Sequence, residues 1–261
     1  MKKKLFKVLA TALVAGMALT GCGGGDKDVE MTYAVEAGSA GETVAMEMEL
    51  KYNSVGSQSD ALMEVASGTS DAAIIDLLMA GAMIGEGTSY PNLKYTDKLT
   101  TEEYGVGCRK GSDLASYINV VFAEEFASGN MKEIATIYGV QESLVDQPAT
   151  EFAAAEDSDV AYIQDKGTLI VGITDFAPMD YKDDNGEWIG FDADMARIVA
   201  EKLGVEIKFV EIDWDSKIME LDSKNIDVVW NGMTLTNEVK AAMECSNAYC
   251  NNAQVVVVPA K

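Results

Sequence analysis

The chain has 261 residues, which is enough for one or two domains, and it carries 43 acidic against 20 basic residues for a formal net charge of −23. This charge argues against binding to nucleic acid and against docking on anionic lipid. The sequence has no histidine, which removes the commonest metal ligand and the usual general base, so we expect no metal site, no cofactor and no catalytic residue.

The first residues have the pattern of a secretory signal. Four lysines precede an apolar run over residues 8–19, which is too short for a stable membrane span. The ending LTGC resembles the lipobox of bacterial lipoproteins, and this resemblance implies cleavage before Cys22 and acylation of its thiol. An ordinary cleaved signal, with Cys22 incidental, is the alternative. We therefore assign residues 1–21 to a lipoprotein signal peptide and residues 22–30 to a tether.

The next part of the chain alternates strands and helices. A brief strand is predicted at residues 33–36, and Ser39 and Glu42 have the spacing of a capping box, which predicts the start of a helix. The following segment, TVAMEMELKY, alternates like a strand, so the local pattern and the cap disagree, and we follow the cap. A helix, a turn, a strand over residues 72–76 and a further helix come next.

The second half of the chain continues in the same way. One or two helices are predicted over residues 113–138, and residues 146–159 are acidic and small, which is typical of a linker. A strand over residues 169–173, a hairpin turn at residues 183–186 and a helix that ends at Gly204 follow. The segments VEIKFVEI and AQVVVV are expected to be strands. The alternation predicts an α/β fold with largely parallel sheets.

Three segments carry a resemblance to a known family. LIVGITDFAPMDY, GEWIGFDADMARIVAEKLGV and IDVVWNGMTLTNEVK resemble the first lobe of the extracellular solute-binding proteins that deliver amino acids to ABC importers. Residues 33–145 resemble the remainder of that family, in particular at YAVEAGSAGE and ALMEVASGTSDAAIID. The resemblance implies a two-lobed, periplasmic-binding-protein-like (type II) fold in which each lobe is a sheet flanked by helices.

The two halves stand in exchanged order relative to the family. The order predicts a circular permutation, in which residues 146–160 join the family's usual termini. We expect a smaller lobe at residues 31–100, a larger lobe at residues 101–259 and a single covalent connection near residues 96–104. Such a change is tolerated when the old termini lie close together on the surface.

The resemblance also implies a ligand site. Ser39, Ala40 and Gly41 occupy the helix start that the family uses to bind the ligand's carboxylate, and a plain helix cap is the alternative. Asp76 aligns with an acid that pairs with the ligand's ammonium, a role that is compatible with capping the next helix. Five of the family positions lie elsewhere in the chain and are considered next.

On the other half, Gly232 and Thr234 align with a carbonyl and a hydroxyl that touch the ligand. Phe176 and Trp214 align with aromatics that cover its aliphatic part, although core packing is the usual role of an aromatic. Val239 stands where typical members place an arginine that grips the carboxylate, and its neighbour Lys240 points in another direction on a helix. Either helix amides and hydroxyls alone bind the ligand's carboxylate, or the ligand is not a standard α-amino acid.

The cysteines after Cys22 leave two interpretations open. Cys245 and Cys250 are close enough in sequence to form a disulfide in an oxidising exterior, and two small half-buried residues are the alternative. Cys108 has no evident partner.

The function that these features predict is a monomeric, lipid-anchored receptor at the extracellular face of the bacterial membrane or in the periplasm. It would capture a polar amino acid or similar zwitterion and deliver it to the permease of an ABC importer, without acting as an enzyme. A dehydratase of the cyclohexadienyl or arogenate type, on the same fold, is the alternative from the enzyme class. A sensor or a remnant that no longer transports is the third.

Overall fold

A computed structural model describes residues 31–260. The predicted signal peptide, the tether and Cys22 lie outside the described residues. Within the described range, none of the helices combines the length and the hydropathy that a membrane crossing requires.

The elements alternate as the sequence predicts. The first part contains β1 (Thr32–Glu36), α1 (Ala40–Glu47), β2 (Lys51–Val55), α2 (Gln58–Ser67), β3 (Ala72–Asp76), α3 (Leu77–Met83) and β4 (Leu93–Lys98). The middle part contains β5 (Glu102–Tyr104), β6 (Gly107–Cys108), α4 (Leu114–Ser128), α5 (Asn130–Ile137) and α6 (Asp159–Lys166). The last part contains β7 (Thr168–Ile173), β8 (Tyr181–Lys182), β9 (Trp188–Ile189), α7 (Phe191–Leu203), β10 (Glu206–Glu211), α8 (Lys217–Asp222), β11 (Val228–Val229), α9 (Asn237–Ala242), β12 (Glu244–Cys245), β13 (Cys250–Asn252) and β14 (Gln254–Pro259).

The first sheet has the strand order β2-β1-β3-β14-β4. β1 runs parallel to β2 and β3, whereas β14 is antiparallel to β3 and β4. Both faces are covered, because Tyr33 and Val35 pack with Val44 of α1 while Ala34 packs on the opposite side with Leu62 of α2. A strand that is apolar on both faces is typical of a parallel sheet between helices.

The second sheet has the strand order β10-β7-β11-β6-β12. β7 is parallel to β10 and β11, and β6 is antiparallel to β11 and β12. The helix α7 buries Met195, Val199 and Leu203 against this sheet and ends at Gly204, which adopts the left-handed conformation at φ 74°. The chain is therefore a mixed α/β protein with two lobes, each built on a sheet that helices flank.

The predicted lobe boundaries are wrong in one respect. Residues 254–259 were expected in the larger lobe, but β14 lies inside the first sheet between β3 and β4. Its four valines are buried, so the strand needs covering on both faces, which the interior of the first sheet provides.

The prediction of a single connection between the lobes is wrong for the same reason. β5 leads from the first sheet to the second, and β13 leads back from the second sheet to β14. The two strands pair with each other in an antiparallel register, Tyr104 with Cys250 and Glu102 with Asn252. The lobes are therefore joined by two paired strands.

The predicted linker has no regular secondary structure over residues 146–158. It is nevertheless held in place, because the carboxylate of Asp113 accepts hydrogen bonds from the backbone N–H groups of Ala155 and Val160 and from the Ser158 hydroxyl. This segment thus connects α5 to α6 along the N-terminus of α4.

Candidate ligand-binding site

A cavity of about 290 Å³ lies between the two lobes. Glu36, Ser39 and Asp76 line it from the first lobe, where β1 and β3 end and α1 begins. The segments that follow β10 and β11 line it from the second lobe. The carboxyl ends of parallel strands are the usual place for ligands in α/β sheets. The volume is near the lower end of the roughly 300–1,000 Å³ typical of small-molecule pockets, so the cavity suits a small ligand.

The structure brings most of the predicted site residues together at this cavity. Those that line it are Ser39, Ala40, Asp76, Trp214, Gly232 and Thr234. Gly41 and Phe176 are not among its lining residues. Gly41 lies against the Ile74 carbonyl instead, and the Phe176 ring, which is 2% exposed, is buried beneath Gly232. The two sequence halves therefore do share one gap.

The start of α1 presents free backbone N–H groups at the cavity. Ser39 is the N-cap, and its hydroxyl accepts a hydrogen bond from the Glu42 N–H at 3.1 Å. The Glu42 carboxylate in turn accepts from the Gly38 N–H at 2.7 Å. The predicted cap is thus confirmed. The N–H groups of Ala40 and Gly41 have no acceptor among the described residues, so they are available to an anionic or carbonyl oxygen.

Asp76 ends β3 and is held by the protein itself. Its carboxylate accepts hydrogen bonds from four side chains, those of Gln58, Tyr104, Asn252 and Gln254. It makes no side-chain capping bond to α3. The pKa of Asp76 is raised to about 7, chiefly by burial and also by the nearby Glu102 carboxylate, while the hydrogen bonds from Tyr104 and Gln58 oppose the rise. The group therefore titrates near neutral pH in the ligand-free protein.

A hydrogen-bond network joins the cavity to the paired strands. The Glu102 carboxylate accepts from the Thr234 hydroxyl at 3.2 Å, from Asn252 at 3.2 Å and from Gln254 at 3.0 Å. Asn252 and Gln254 also donate to Asp76. Since Thr234 lies on the second lobe and Asp76 on the first, this network connects both walls of the cavity through β5 and β13.

Gly232 is a position that only glycine fits. Its φ is +56°, and an added Cβ would lie 2.4 Å from a ring carbon of Phe176. Its N–H donates to the buried Asp192 carboxylate at 2.7 Å. Burial raises the pKa of Asp192 to about 7, and the hydrogen bonds from Tyr249 and Gly232 oppose the rise. The wall is therefore fixed from behind by Phe176 and Asp192.

Lys217 and Trp214 form another part of the wall, and no sequence pattern predicted a role for the lysine. The Lys217 ammonium lies 4.8 Å from the centre of the Trp214 ring and donates to the Trp214 carbonyl at 2.9 Å. It also donates to the Gly38 carbonyl of the other lobe at 2.9 Å. Burial lowers the pKa of Lys217, while the charge of Glu36 opposes this change.

Glu36 is a second lining residue that sequence reasoning missed. It is the last residue of β1 and only 3% exposed, and its Oε1 has no hydrogen-bond partner among the described residues. The pKa of Glu36 is raised to about 8, chiefly by burial and also by the charge of Asp76, while Lys217 and a hydrogen bond from Gln58 oppose the rise. Its place at the carboxyl end of a buried strand was a signal that could have found it.

Val239 lines the cavity at the position where the family's arginine was expected. Its side chain is buried with Trp214, Met233 and Met243, and Lys240 beside it is exposed. Lys240 does not line the cavity, so it is no replacement for an arginine. Trp230 is buried against Phe122, as expected of a core residue.

The described cysteines are free thiols. Cys245 packs with the cluster around Met243, whereas Cys250 lies in the main core beside Tyr249, so the structure agrees with the second of the two interpretations, two unpaired cysteines. Within residues 31–260, no group of three or more cysteine or acidic side chains is arranged to hold a metal ion.

Comparison with known proteins gives a family match for the last part of the chain. Residues 169–261 match the bacterial extracellular solute-binding proteins, family 3. The match covers 93 of the 261 residues. The two helix-flanked sheets agree with the two-lobed arrangement that the resemblance implied.

The chain is also similar to individual family members over part of its length. It is 34% identical over 96 residues to the L-cystine-binding protein TcyJ of Escherichia coli (strain K12), which is 36% of each chain. It is 33% identical to the arginine-bound form of domain 1 of TmArgBP from T. maritima, over 38% of this chain and 84% of that one, with a TM-score of 0.31. The cyclohexadienyl dehydratase of Pseudomonas aeruginosa is 31% identical over 85 residues, or 32% of each chain. The chain thus spans 36% and 32% of the length of these two curated relatives.

Proposed function

We propose that this protein captures a polar amino acid or a similar small zwitterion in the cavity between its lobes and delivers it to the permease of an ABC importer. The observation that carries the proposal is that residues from both lobes, among them Ser39, Asp76 and Thr234, line one cavity of about 290 Å³. The free N–H groups at the start of α1 would donate hydrogen bonds to the ligand's carboxylate, and Asp76 would accept hydrogen bonds from its ammonium.

The proposal extends to how the protein is placed in the cell. Acylation at Cys22 would hold a monomer at the extracellular face of the membrane or in the periplasm, where the relatives that bind amino acids act. We also propose that the chain is a circular permutation of the family's usual order. Two observations support this order. The family model matches residues 169–261, in the second half of the chain, and the first half of the chain supplies most of the strands of the other sheet.

Calorimetry on the purified chain tests the binding function. A thermal-shift screen of the twenty amino acids should identify ligands, because a ligand that binds only the folded state raises the melting temperature. Thr234→Val should then weaken the best ligand by roughly fivefold, the loss expected for one hydrogen bond of about 1 kcal/mol. The matched control is Thr136→Val on the exposed side of α5, which should leave affinity unchanged.

Two results would contradict the proposal. The first is that none of the amino acids raises the melting temperature. The second is that Thr234→Val and Thr136→Val have the same effect on affinity.

A dehydratase is the second candidate, because the buried carboxyl groups of Glu36 and Asp76 have pKa values of about 8 and 7 and could donate a proton in the cavity. Incubation of the purified protein with prephenate or arogenate separates the two functions. A binding protein leaves both compounds unchanged, and turnover that Asp76→Asn abolishes would establish the enzyme.

A further inference from the structure

The cavity is strongly acidic. Five carboxylates line it, those of Glu36, Glu42, Asp76, Asp215 and Glu238, against the single ammonium of Lys217 among the lining residues. Glu42 is used by the Gly38 N–H and the Ser54 hydroxyl. A site with this balance favours a ligand that brings positive charge with it.

Lys217 does little to neutralise these acids. Its ammonium donates to two carbonyl oxygens, those of Gly38 and Trp214, and lies over the Trp214 ring. It is therefore committed to the contact between the lobes. Val239, at the position expected for an arginine, adds no charge either.

Glu36 differs from the other four acids because it combines burial with a carboxylate oxygen, Oε1, that has no donor among the described residues. Its residue exposure is 3%, and Oε1 has no hydrogen-bond partner among the described residues. An unsatisfied buried polar oxygen costs free energy that a donor on a ligand would recover. An ammonium or guanidinium is the donor that suits a carboxylate best, because its hydrogen bonds are charge-assisted.

We propose that Glu36 selects ligands with a cationic side chain, and that the cavity takes a basic amino acid whose terminal ammonium or guanidinium is bound by the Glu36 carboxylate. The inference rests on the proposed function, since it names the substrate class of the same cavity. Asp76 and the start of α1 remain the proposed partners of the α-ammonium and α-carboxylate.

Binding of such a ligand releases a proton from the protein. Free Glu36 is largely protonated below pH 8, and it must ionise to pair with the cation, so its proton passes to solvent. The groups that act on Glu36 are Asp76 at the end of β3, Asp60 on α2 and Lys217 on α8; the two acids favour its protonated form and Lys217 its ionised form. The affinity for a basic amino acid should therefore rise with pH from 6 to 8, by up to about tenfold per unit.

Arginine and citrulline test this charge preference, since they have nearly the same shape and differ in the charge of the terminal group. At pH 8 the wild type should bind L-arginine at least about tenfold more tightly than L-citrulline by calorimetry. Glu36→Gln should reduce this preference to within about twofold and bring the pH dependence of arginine binding down to that of citrulline, to which Asp76 still contributes. Glu238→Gln, an exposed glutamate of the same cavity, is the matched control and should leave the preference in place.

Each alternative outcome is informative. If Glu36→Gln and Glu238→Gln reduce the preference equally, the cavity attracts cations by its general charge and Glu36 has no selective role. If citrulline or another neutral amino acid binds the wild type as tightly as arginine, this inference fails and the proposed function stands. If no amino acid binds, both fail. Should Glu36→Gln not fold, the arginine preference of the wild type and its pH dependence still decide the matter.

Discussion

Gly232 is the wall residue whose replacement by alanine should destabilise the protein most clearly. Its φ of +56° is a left-handed conformation, which costs an L-residue with a side chain about 1–2 kcal/mol. The new methyl group would also lie 2.4 Å from Phe176 Cε1 and 3.2 Å from Tyr104 Cε2. Neither ring can withdraw easily, since both are buried, so overpacking adds about 1–3 kcal/mol. Gly232→Ala should therefore lower the free energy of unfolding by about 2–5 kcal/mol.

Urea denaturation followed by tryptophan fluorescence measures this loss. Gly68→Ala is the matched control, because Gly68 has a similar φ of +78° but no atom within 4 Å of an added Cβ. It should show the backbone cost alone, about 1–2 kcal/mol. Adding Phe176→Leu to Gly232→Ala should recover part of the loss, because the substitution removes the ring edge that the methyl group meets. Equal losses at Gly232 and Gly68 would refute the steric argument and the packing of Phe176 behind this wall.

Two further predictions concern charge. Val239→Arg should strengthen the binding of an α-amino acid by roughly tenfold or more in calorimetry, because a guanidinium can hold the carboxylate through two charge-assisted hydrogen bonds; unchanged or weaker binding would count against the cavity. The pKa values of Glu36, Asp76 and Asp192 are raised to about 8, 7 and 7, so the folded state holds protons that the unfolded state has lost. The free energy of unfolding of the ligand-free protein should accordingly fall as pH rises from about 4 to 8, and Glu36→Gln should flatten the last part of this fall in urea titrations at each pH.

Local features of the sequence predicted most of the fold. The capping box at Ser39 and Glu42 gave the correct helix where the alternating pattern of the next residues suggested a strand, because the cap satisfies backbone groups that only a helix leaves free. The strand over residues 72–76 was also predicted with its observed bounds, and the end of the helix at Gly204 was predicted correctly.

The misplaced elements depend on contacts between distant residues. The valines of β14 identify a buried strand, but nothing within the strand says which sheet it enters, and its partners β3 and β4 lie more than 150 residues earlier. The role of Lys217 in the cavity wall likewise depends on a distant residue, because its ammonium donates a hydrogen bond to the Gly38 carbonyl of the other lobe. Phe176 was expected at the cavity because it aligns with the family's cleft aromatics, yet the absence of a side chain at Gly232 lets the ring lie behind the wall.

The pairing of β5 with β13 has a consequence for how the lobes move. Because the two connecting strands are hydrogen-bonded to each other, a rotation of one lobe must change backbone dihedrals in both strands together. Independent swivelling is thereby suppressed, and bending about one axis remains the least costly motion. Binding of a ligand in the cavity would then change one angle, the angle between the two lobes. A membrane protein that contacts the outer surface of both lobes could recognise this change without touching the ligand.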